Sequence, residues 1–119
     1  MSKATRDDAK LLLPNAWKVV VTSLDWPFVA EYRFHETRRW RFDWAHVTLM
    51  LAIELQGVTF ARGKPGRHQT PSGIEGDMEK LNAAVECGWR VLLYSQRQVK
   101  DDPVGVIQQI IRVAEMRAT

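Results

Sequence analysis

Two segments with alternating side chains, residues 39–45 and 49–57, constrain the fold of this chain more than any other feature. In the first, charged side chains alternate with aromatic ones, and in the second, Glu54 and Gln56 alternate with Ile53 and Leu55. Successive side chains of a β-strand point to opposite faces, so both segments are predicted to be strands. Only residues 46–48 lie between them, which is short enough for a hairpin connection.

Pairing these strands brings two carboxylates together, because Asp43 lies on one strand and Glu54 on the other. Like charges held on one face of a sheet repel each other unless a cation or a proton sits between them. A divalent metal is one explanation, since hard cations such as Mg²⁺ take oxygen ligands. The other is that both carboxylates are solvated on an exposed face, which is a common location for them. The spacing alone leaves both explanations open.

The neighbouring segments predict further strands and a helix. The side chains of residues 28–35 alternate between two faces, as in a strand, and Glu31 lies on the polar face. This strand is predicted to form an antiparallel meander with the next two. Residues 74–87 have helical spacing, and Gly88 follows where a helix commonly ends. The apolar stripe of this helix comprises Ile74, Met78, Leu81 and Val85. Residues 89–94 are apolar on nearly both faces, as expected of a central strand.

Helices are predicted towards both ends of the chain. Pro14 suits the first turn of a helix, so one helix is expected to end near Leu13 and another to start at Pro14, although residues 19–21 fit a strand equally well. Asp102 and Pro103 predict the start of the last helix, with a carboxylate cap and a proline in the first turn. The predicted order is helix, three strands, helix, strand, helix, in a single α/β domain spanning residues 1–119.

The chain is moderately basic, with a formal net charge of +3. This charge permits binding to a polyanion without establishing it. A glycine-rich loop at residues 57–73 concentrates basic groups, and loops of this length are usually functional or disordered. Either it forms a basic flap over the carboxylates or it is a solvated insertion. Its basic residues and histidine are Arg62, Lys64, Arg67 and His68.

Cysteine usage and hydropathy indicate the compartment. Cys87 is the only cysteine, so neither an intramolecular disulfide nor a thiolate zinc cluster can form, which suits a reducing cytoplasm. The first residues lack the apolar core of a signal peptide, and no apolar run approaches membrane-spanning length. A cytoplasmic protein that does not enter a membrane is therefore expected.

Several short motifs, taken in order, resemble a known nuclease family. They are Arg-Trp-Arg-Phe-Asp at 39–43, Ala-Ile-Glu-Leu-Gln-Gly at 52–57, His68, Asp-Met-Glu-Lys-Leu-Asn at 77–82 and Gly-Trp-Arg-Val-Leu at 88–92. The set resembles small phage-type nucleases of the PD-(D/E)xK, restriction-endonuclease-like superfamily, and its last motif is similar to the very-short-patch repair endonucleases. This resemblance implies a mixed central sheet of about four strands flanked by helices.

The resemblance assigns the two carboxylates to a metal site. Asp43 matches the metal-binding aspartate of the family, Glu54 its second acidic ligand, and Glu31 the additional upstream acid that many members carry. These residues would hold Mg²⁺ or Mn²⁺, together with the carbonyl oxygen of Leu55. Phe42 stands where the family name has proline, at a position that varies widely.

One position departs from the family pattern in a way that bears on catalysis. Gln56 stands where the family carries a lysine that activates water and stabilises developing charge. Lys80 on the following helix is the candidate to replace that lysine, and the alternative is that it pairs with Asp77 on the helix surface. His68 would protonate the leaving oxygen or contact the scissile phosphate, or else be a solvated loop residue.

The resemblance implies a metal-dependent DNA endonuclease, located in the host cytoplasm if it is encoded by a phage. Branched, mismatched and single-stranded DNA are all open as substrates, and a homodimer is expected because so small a chain encloses little duplex. Phosphate contacts are expected from Arg39, Arg41, Arg62, Lys64 and Arg67.

Two further expectations follow from these motifs. Trp40, Phe42 and Trp44 are expected in the core rather than as base-stacking residues, because they lie on the opposite face from Asp43. The alternative function is a non-catalytic nucleic-acid-binding protein on the same fold. The missing motif lysine favours that alternative.

Overall fold

The computed structural model describes residues 6–56 and 71–116. These residues form four helices and one four-stranded sheet, in which the strands lie in the order β1-β2-β3-β4. Neighbouring strands among β1, β2 and β3 are antiparallel, while β4 runs parallel to β3 after a helical crossover. The strands are β1 (Val29–Arg33), β2 (Arg41–His46), β3 (Leu51–Gln56) and β4 (Arg90–Ser95). The helices are α1 (Arg6–Val20), α2 (Pro71–Glu86), α3 (Gln96–Asp101) and α4 (Pro103–Glu115). The predicted mixed sheet flanked by helices is confirmed, with α3 as an additional short helix, but β4 lies at an edge of the sheet and not at its centre as expected.

The alternation of β3 divides the hydrophobic core between the two faces of the sheet. Leu51, Ile53 and Leu55 point to one face, where they pack against α1, α3 and α4. Ala52 points to the other face, where the smaller cluster includes Ala84 of α2. Burial on both faces is typical of a strand in the middle of a sheet, which is where β3 lies.

α1 is a single helix with Pro14 inside it. The expected break near Leu13 is therefore wrong, and so is the alternative strand at residues 19–21. Proline removes one backbone donor from a helix, but Leu13 and Trp17 on either side of it are buried in the core. Packing of this face against the sheet thus outweighs the local preference for a break.

α2 buries a different face from the one that its sequence predicts. In the predicted stripe, Met78 and Val85 are 57% and 68% exposed, and Ile74 is exposed as well. The face towards the sheet instead carries Ala84, which is fully buried, and Lys80, whose amine reaches β2 and β3. The orientation of α2 is thus set by a small side chain and a polar contact rather than by its most apolar stripe.

α4 begins as predicted. Asp102 caps it by accepting a hydrogen bond from the N–H of Gly105, and Pro103 lies in the first turn. Its buried residues are Val106, Ile107 and Ile110. Across the described parts of the chain, the helices are all too short or too polar to cross a membrane.

α2 ends in a tight turn at Gly88, which has a φ of +91°. The Gly88 N–H donates to the carbonyl of Val85 and the Trp89 N–H to the carbonyl of Ala84, which is the double hydrogen bond of a Schellman motif. Glycine reaches this left-handed conformation without steric penalty. The turn redirects the chain from α2 into β4, which lies beside β3.

Replacing Gly88 with alanine is expected to lower the free energy of unfolding by about 1–2 kcal/mol, because an L-residue is strained in the left-handed region. Gly76→Ala is the matched control, since a Cβ at this position inside α2 meets nothing within 4 Å. That change should raise stability by about 0.5–1 kcal/mol through helix propensity. Urea unfolding followed by circular dichroism measures both, and effects of the same sign would contradict the assigned role of Gly88.

Candidate active site

Asp43 and Glu54 lie where the regular pairing of β2 with β3 ends. That backbone pairing reaches as far as Trp44 and Ile53. Beyond it, backbone groups bond to side chains: the Asp43 N–H donates to Glu54 Oε1 at 3.0 Å, and the Leu55 N–H donates to Asp43 Oδ2 at 2.7 Å. The two residues are only 1% and 7% exposed. The predicted proximity of the carboxylates is therefore present, and it is built into the seam between two strands rather than onto an exposed sheet face.

Lys80 brings a positive charge from α2 to this seam. Its Nζ lies 2.9 Å from Glu54 Oε2 and donates a second hydrogen bond to the backbone carbonyl of Arg41 at 2.6 Å. Only 17% of its side chain is exposed. Of the two positions considered from the sequence, at the carboxylates or on the helix surface, the structure places the amine at the carboxylates.

The electrostatics of the pair are dominated by burial. Burial raises the pKa of the Glu54 carboxyl above its usual range, the Lys80 ammonium lowers it, and the neighbouring Asp43 carboxylate raises it. The net effect is a raised pKa even though an ammonium lies within hydrogen-bond distance of Glu54. Removal of the carboxyl from water, more than the repulsion from Asp43, is therefore what favours the protonated form of Glu54 in the absence of a bound cation.

The donor set suits a hard divalent cation. Mg²⁺ in proteins is usually held by one or two carboxylates and keeps several waters, and the seam offers two carboxylates. A larger cluster is absent from the described residues, among which no group of three or more acidic, histidine or cysteine side chains could hold a metal.

Glu31, the predicted third ligand, does not join the pair. Its carboxylate binds Lys10 of α1 at 2.6 Å. That lysine amine also lies 5.1 Å from the ring centroid of Trp44, which belongs to the core on the α1 side. Glu31 thus contacts the helix on one side of the sheet, whereas Glu54 contacts the helix on the other. The structure does not support the expected three-acid ligand set.

The remaining predicted site residues differ in position. Gln56 ends β3 beside Ser95 of β4, half-buried and, by strand alternation, on the same face as Glu54. Arg41 begins β2 and Arg39 precedes it, and both are exposed. The residues that lie outside the described parts of the chain are Arg62, Lys64, Arg67 and His68. Their roles stay predictions.

A ring cluster beside the seam differs from the sequence prediction. Phe42 and Trp44 are buried as expected, but they lie in the clusters on opposite sides of the sheet, so the predicted alternation is broken at Asp43. Trp40 is only half-buried and lies nearly parallel to the ring of Phe34. The Arg38 guanidinium carbon lies 4.0 Å from the Trp40 ring centroid. Strand parity assigned Trp40 to the core, yet β2 begins only after it. The sequence signal for a surface position was the pair of arginines, Arg38 and Arg39, directly before Trp40.

No family model and no curated protein matches this sequence. A solved structure does match: the catalytic domain of the homing endonuclease I-Bth0305I, with a TM-score of 0.60 and 19% sequence identity. The match covers 91% of this chain and 97% of that domain. At this identity the likeness shows a shared fold, so the mixed sheet and its helices have the arrangement of a homing endonuclease catalytic domain. The finer resemblance to PD-(D/E)xK and very-short-patch repair enzymes stays a prediction.

The raised pKa of Glu54 predicts how the metal-free protein responds to pH. A carboxyl with a higher pKa in the folded than in the unfolded state binds its proton more tightly when folded. The contribution of Glu54 to the free energy of unfolding is complete below its ordinary pKa of 4.5, and it is lost as the pH rises through the higher pKa of the folded state. Wild type should therefore lose stability relative to Glu54→Gln as pH increases from about 4 towards 8.

This expectation is checked by urea unfolding of both proteins across that pH range in the presence of a chelator. Glu115→Gln is the control, because it removes a carboxylate of α4 that is exposed and not buried. A stability difference between wild type and Glu54→Gln that stays constant with pH would show that burial does not perturb this carboxyl.

Proposed function

We propose that this protein is a metal-dependent endonuclease that hydrolyses phosphodiester bonds in DNA at a site formed by Asp43, Glu54 and Lys80. The observation that carries the proposal is the pair of buried carboxylates at the β2–β3 seam, with the lysine amine 2.9 Å from Glu54. Two buried like charges cost stability, and a cation-binding role accounts for their presence. The fold shared with a homing endonuclease catalytic domain supports the proposal.

Each side chain has a defined part in this hydrolysis. Asp43 and Glu54 would hold Mg²⁺ or Mn²⁺, and the two backbone N–H bonds at the seam keep their carboxylates oriented. When bound, the metal supplies a water of lowered pKa and polarises the scissile phosphate. Gln56 would position the attacking water, and Lys80 would place its ammonium near the phosphate oxygens, where negative charge develops.

DNA would lie across the exposed residues next to the seam. Arg39 and Arg41 are exposed beside it and would contact flanking phosphates, which position the backbone without reading sequence. The basic groups expected to add to this surface are Arg62, Lys64 and Arg67, with His68 as a candidate acid for the leaving oxygen. A homodimer would let so small a chain act on a duplex.

The second candidate function is a non-catalytic nucleic-acid-binding protein on the same fold. A surface that only binds phosphates gains nothing from two buried carboxylates, since affinity for a polyanion comes from neutralising its charge. The arrangement of Asp43 and Glu54 therefore favours the enzyme. Nicking of supercoiled plasmid in Mg²⁺, Mn²⁺ or a chelator distinguishes the two: divalent-dependent nicking supports the endonuclease, and binding without nicking supports the alternative.

Asp43→Ala and Glu54→Ala should each abolish divalent-dependent nicking, because each removes one of two proposed metal ligands. Both variants should retain the circular dichroism spectrum of wild type. Glu115→Ala, which removes an exposed carboxylate at the end of α4, is the control and should nick at the wild-type rate. Full activity in either seam variant would refute the metal site.

Lys80→Ala should reduce the single-turnover cleavage rate by about a hundredfold or more, the usual scale for losing one positioned electrostatic or acid–base group. DNA affinity in Ca²⁺ should change little, because a group that acts mainly in the transition state contributes little to ground-state binding. Lys10→Ala is the control, since it removes the lysine of the ion pair with Glu31. Cleavage by Lys80→Ala at the wild-type rate would show that Gln56 and the metal suffice.

A further inference from the structure

A column of stacked planar groups runs from the buried seam to the surface. The rings of Phe42 and Phe34 stack at 4.1 Å with an interplanar angle of 8°, and Phe34 and Trp40 lie 6.2 Å apart at 10°. The guanidinium of Arg38 covers the Trp40 ring at 4.0 Å. Phe42 is fully buried at the inner end, whereas half of the Arg38 side chain is exposed at the outer end. We refer to Phe42, Phe34, Trp40 and Arg38 as the ring column.

The outer end of the ring column is held in place from two sides. Arg38 Nη1 donates to Glu79 Oε1 of α2 at 2.7 Å. His35 packs edge-on against Trp40 at 5.2 Å, and its Nδ1 accepts hydrogen bonds from the backbone N–H groups of Thr37 and Arg38 at 3.2 Å and 3.0 Å. The guanidinium therefore presents a fixed, half-exposed planar surface that is backed by an aromatic ring.

The ring column lies directly beside the proposed catalytic groups. Its inner member, Phe42, precedes Asp43 in β2, and the Lys80 amine lies 5.9 Å from the Phe42 ring centroid. Glu79, which holds Arg38, is the neighbour of Lys80 on α2. Five residues of extended chain span at most about 17 Å, so Arg38 is within a few nucleotides of Asp43.

Exposed ion pairs such as that of Arg38 with Glu79 contribute little to stability, about 0–1 kcal/mol. Folding alone thus gives little reason for so ordered an arrangement at the surface. Aromatic rings and guanidinium planes are the groups on which unpaired bases stack in proteins that bind single-stranded nucleic acid. The positive charges of Arg38 and of its exposed neighbour Arg39 would attract the phosphates next to such a base.

We propose that the outer face of the Arg38 guanidinium, backed by Trp40, is a stacking site for an unpaired nucleobase of the DNA that this enzyme cleaves. Bases inside a duplex have both faces covered by their neighbours, so only an unpaired base offers a free face. The proposal rests on the proposed function and narrows its substrate class to DNA that carries an unpaired base within a few nucleotides of the cleaved bond.

The test measures binding of two fluorescent DNA probes by anisotropy in Ca²⁺, one fully paired and one of the same sequence with a short unpaired flap. Arg38→Lys keeps the charge and can still pair with Glu79, but it lacks the planar group. This variant should bind the flap probe about 5- to 150-fold more weakly, the range for losing one base stack, and the paired probe within twofold of wild type. Arg97→Lys, whose arginine pairs with Asp101 on α3, is the matched control and should change neither affinity.

Trp40 provides a second pair of variants. Trp40→Ala removes the ring that backs the guanidinium and should reproduce the selective loss of flap binding, whereas Trp40→Phe keeps a ring and should restore most of it. Thermal unfolding of each variant identifies any that fail to fold. If the Trp40 variants fail, the test rests on Arg38→Lys, because Arg38 lies at the surface and its replacement leaves the core unchanged.

Three outcomes would overturn the stacking site. If Arg38→Lys binds both probes as tightly as wild type does, Arg38 contacts a phosphate and not a base. If the variant loses the same affinity for both probes, Arg38 has a general electrostatic or structural role. Equal affinity of the wild-type protein for both probes would show that it recognises no unpaired base. If wild type cleaves either probe in Mg²⁺, the proposed function stands in all three cases, whereas a protein that neither binds nor cleaves DNA overturns both proposals.

Discussion

The contact between Lys80 and Glu54 is the interaction on which the rest of the site depends. Glu54 and Asp43 are buried together, and the raised pKa of Glu54 shows that burial outweighs the attraction of the ammonium. Removing one member of a buried ion pair typically costs about 3–5 kcal/mol, because the other charge is left uncompensated. The exposed pair of Arg97 with Asp101 is worth about 0–1 kcal/mol by comparison. Among the ion pairs described here, the buried one therefore has the largest influence on how the elements are arranged.

That influence explains the orientation of α2. A helix whose lysine must reach the β2–β3 seam also turns Ala84, one turn later, onto the sheet. The stripe that includes Met78 and Val85 then faces away from the sheet. Apolar side chains lose hydrophobic stabilisation when they are left exposed, at roughly 25 cal/mol for each Å². The polar contact at the seam and the close approach of a small side chain together offset that loss.

Local patterns predicted the parts of this structure that depend on local rules. Pairing of the two predicted strands placed Asp43 beside Glu54, the Asp102–Pro103 signal located the start of α4, and Gly88 ended α2. The errors arose where tertiary contacts decide. Pro14 lies inside a helix because its neighbours are buried in the core. The phase of α2 depends on a lysine whose partners are 26 and 39 residues away in sequence, a distance that helical periodicity cannot detect.

α2 also connects the two proposed functions of this surface. Glu79 and Lys80 are consecutive residues, and each binds across to the sheet side of the molecule, one to Arg38 and the other to Glu54. A rotation of α2 that moved the ammonium away from the carboxylates would also pull Glu79 away from the guanidinium. The proposed stacking surface and the lysine proposed to act in catalysis are therefore both held by α2. Contact of a base with Arg38 would then act on α2 through Glu79, next to Lys80, which is how the two proposals would couple recognition of an unpaired base to cleavage.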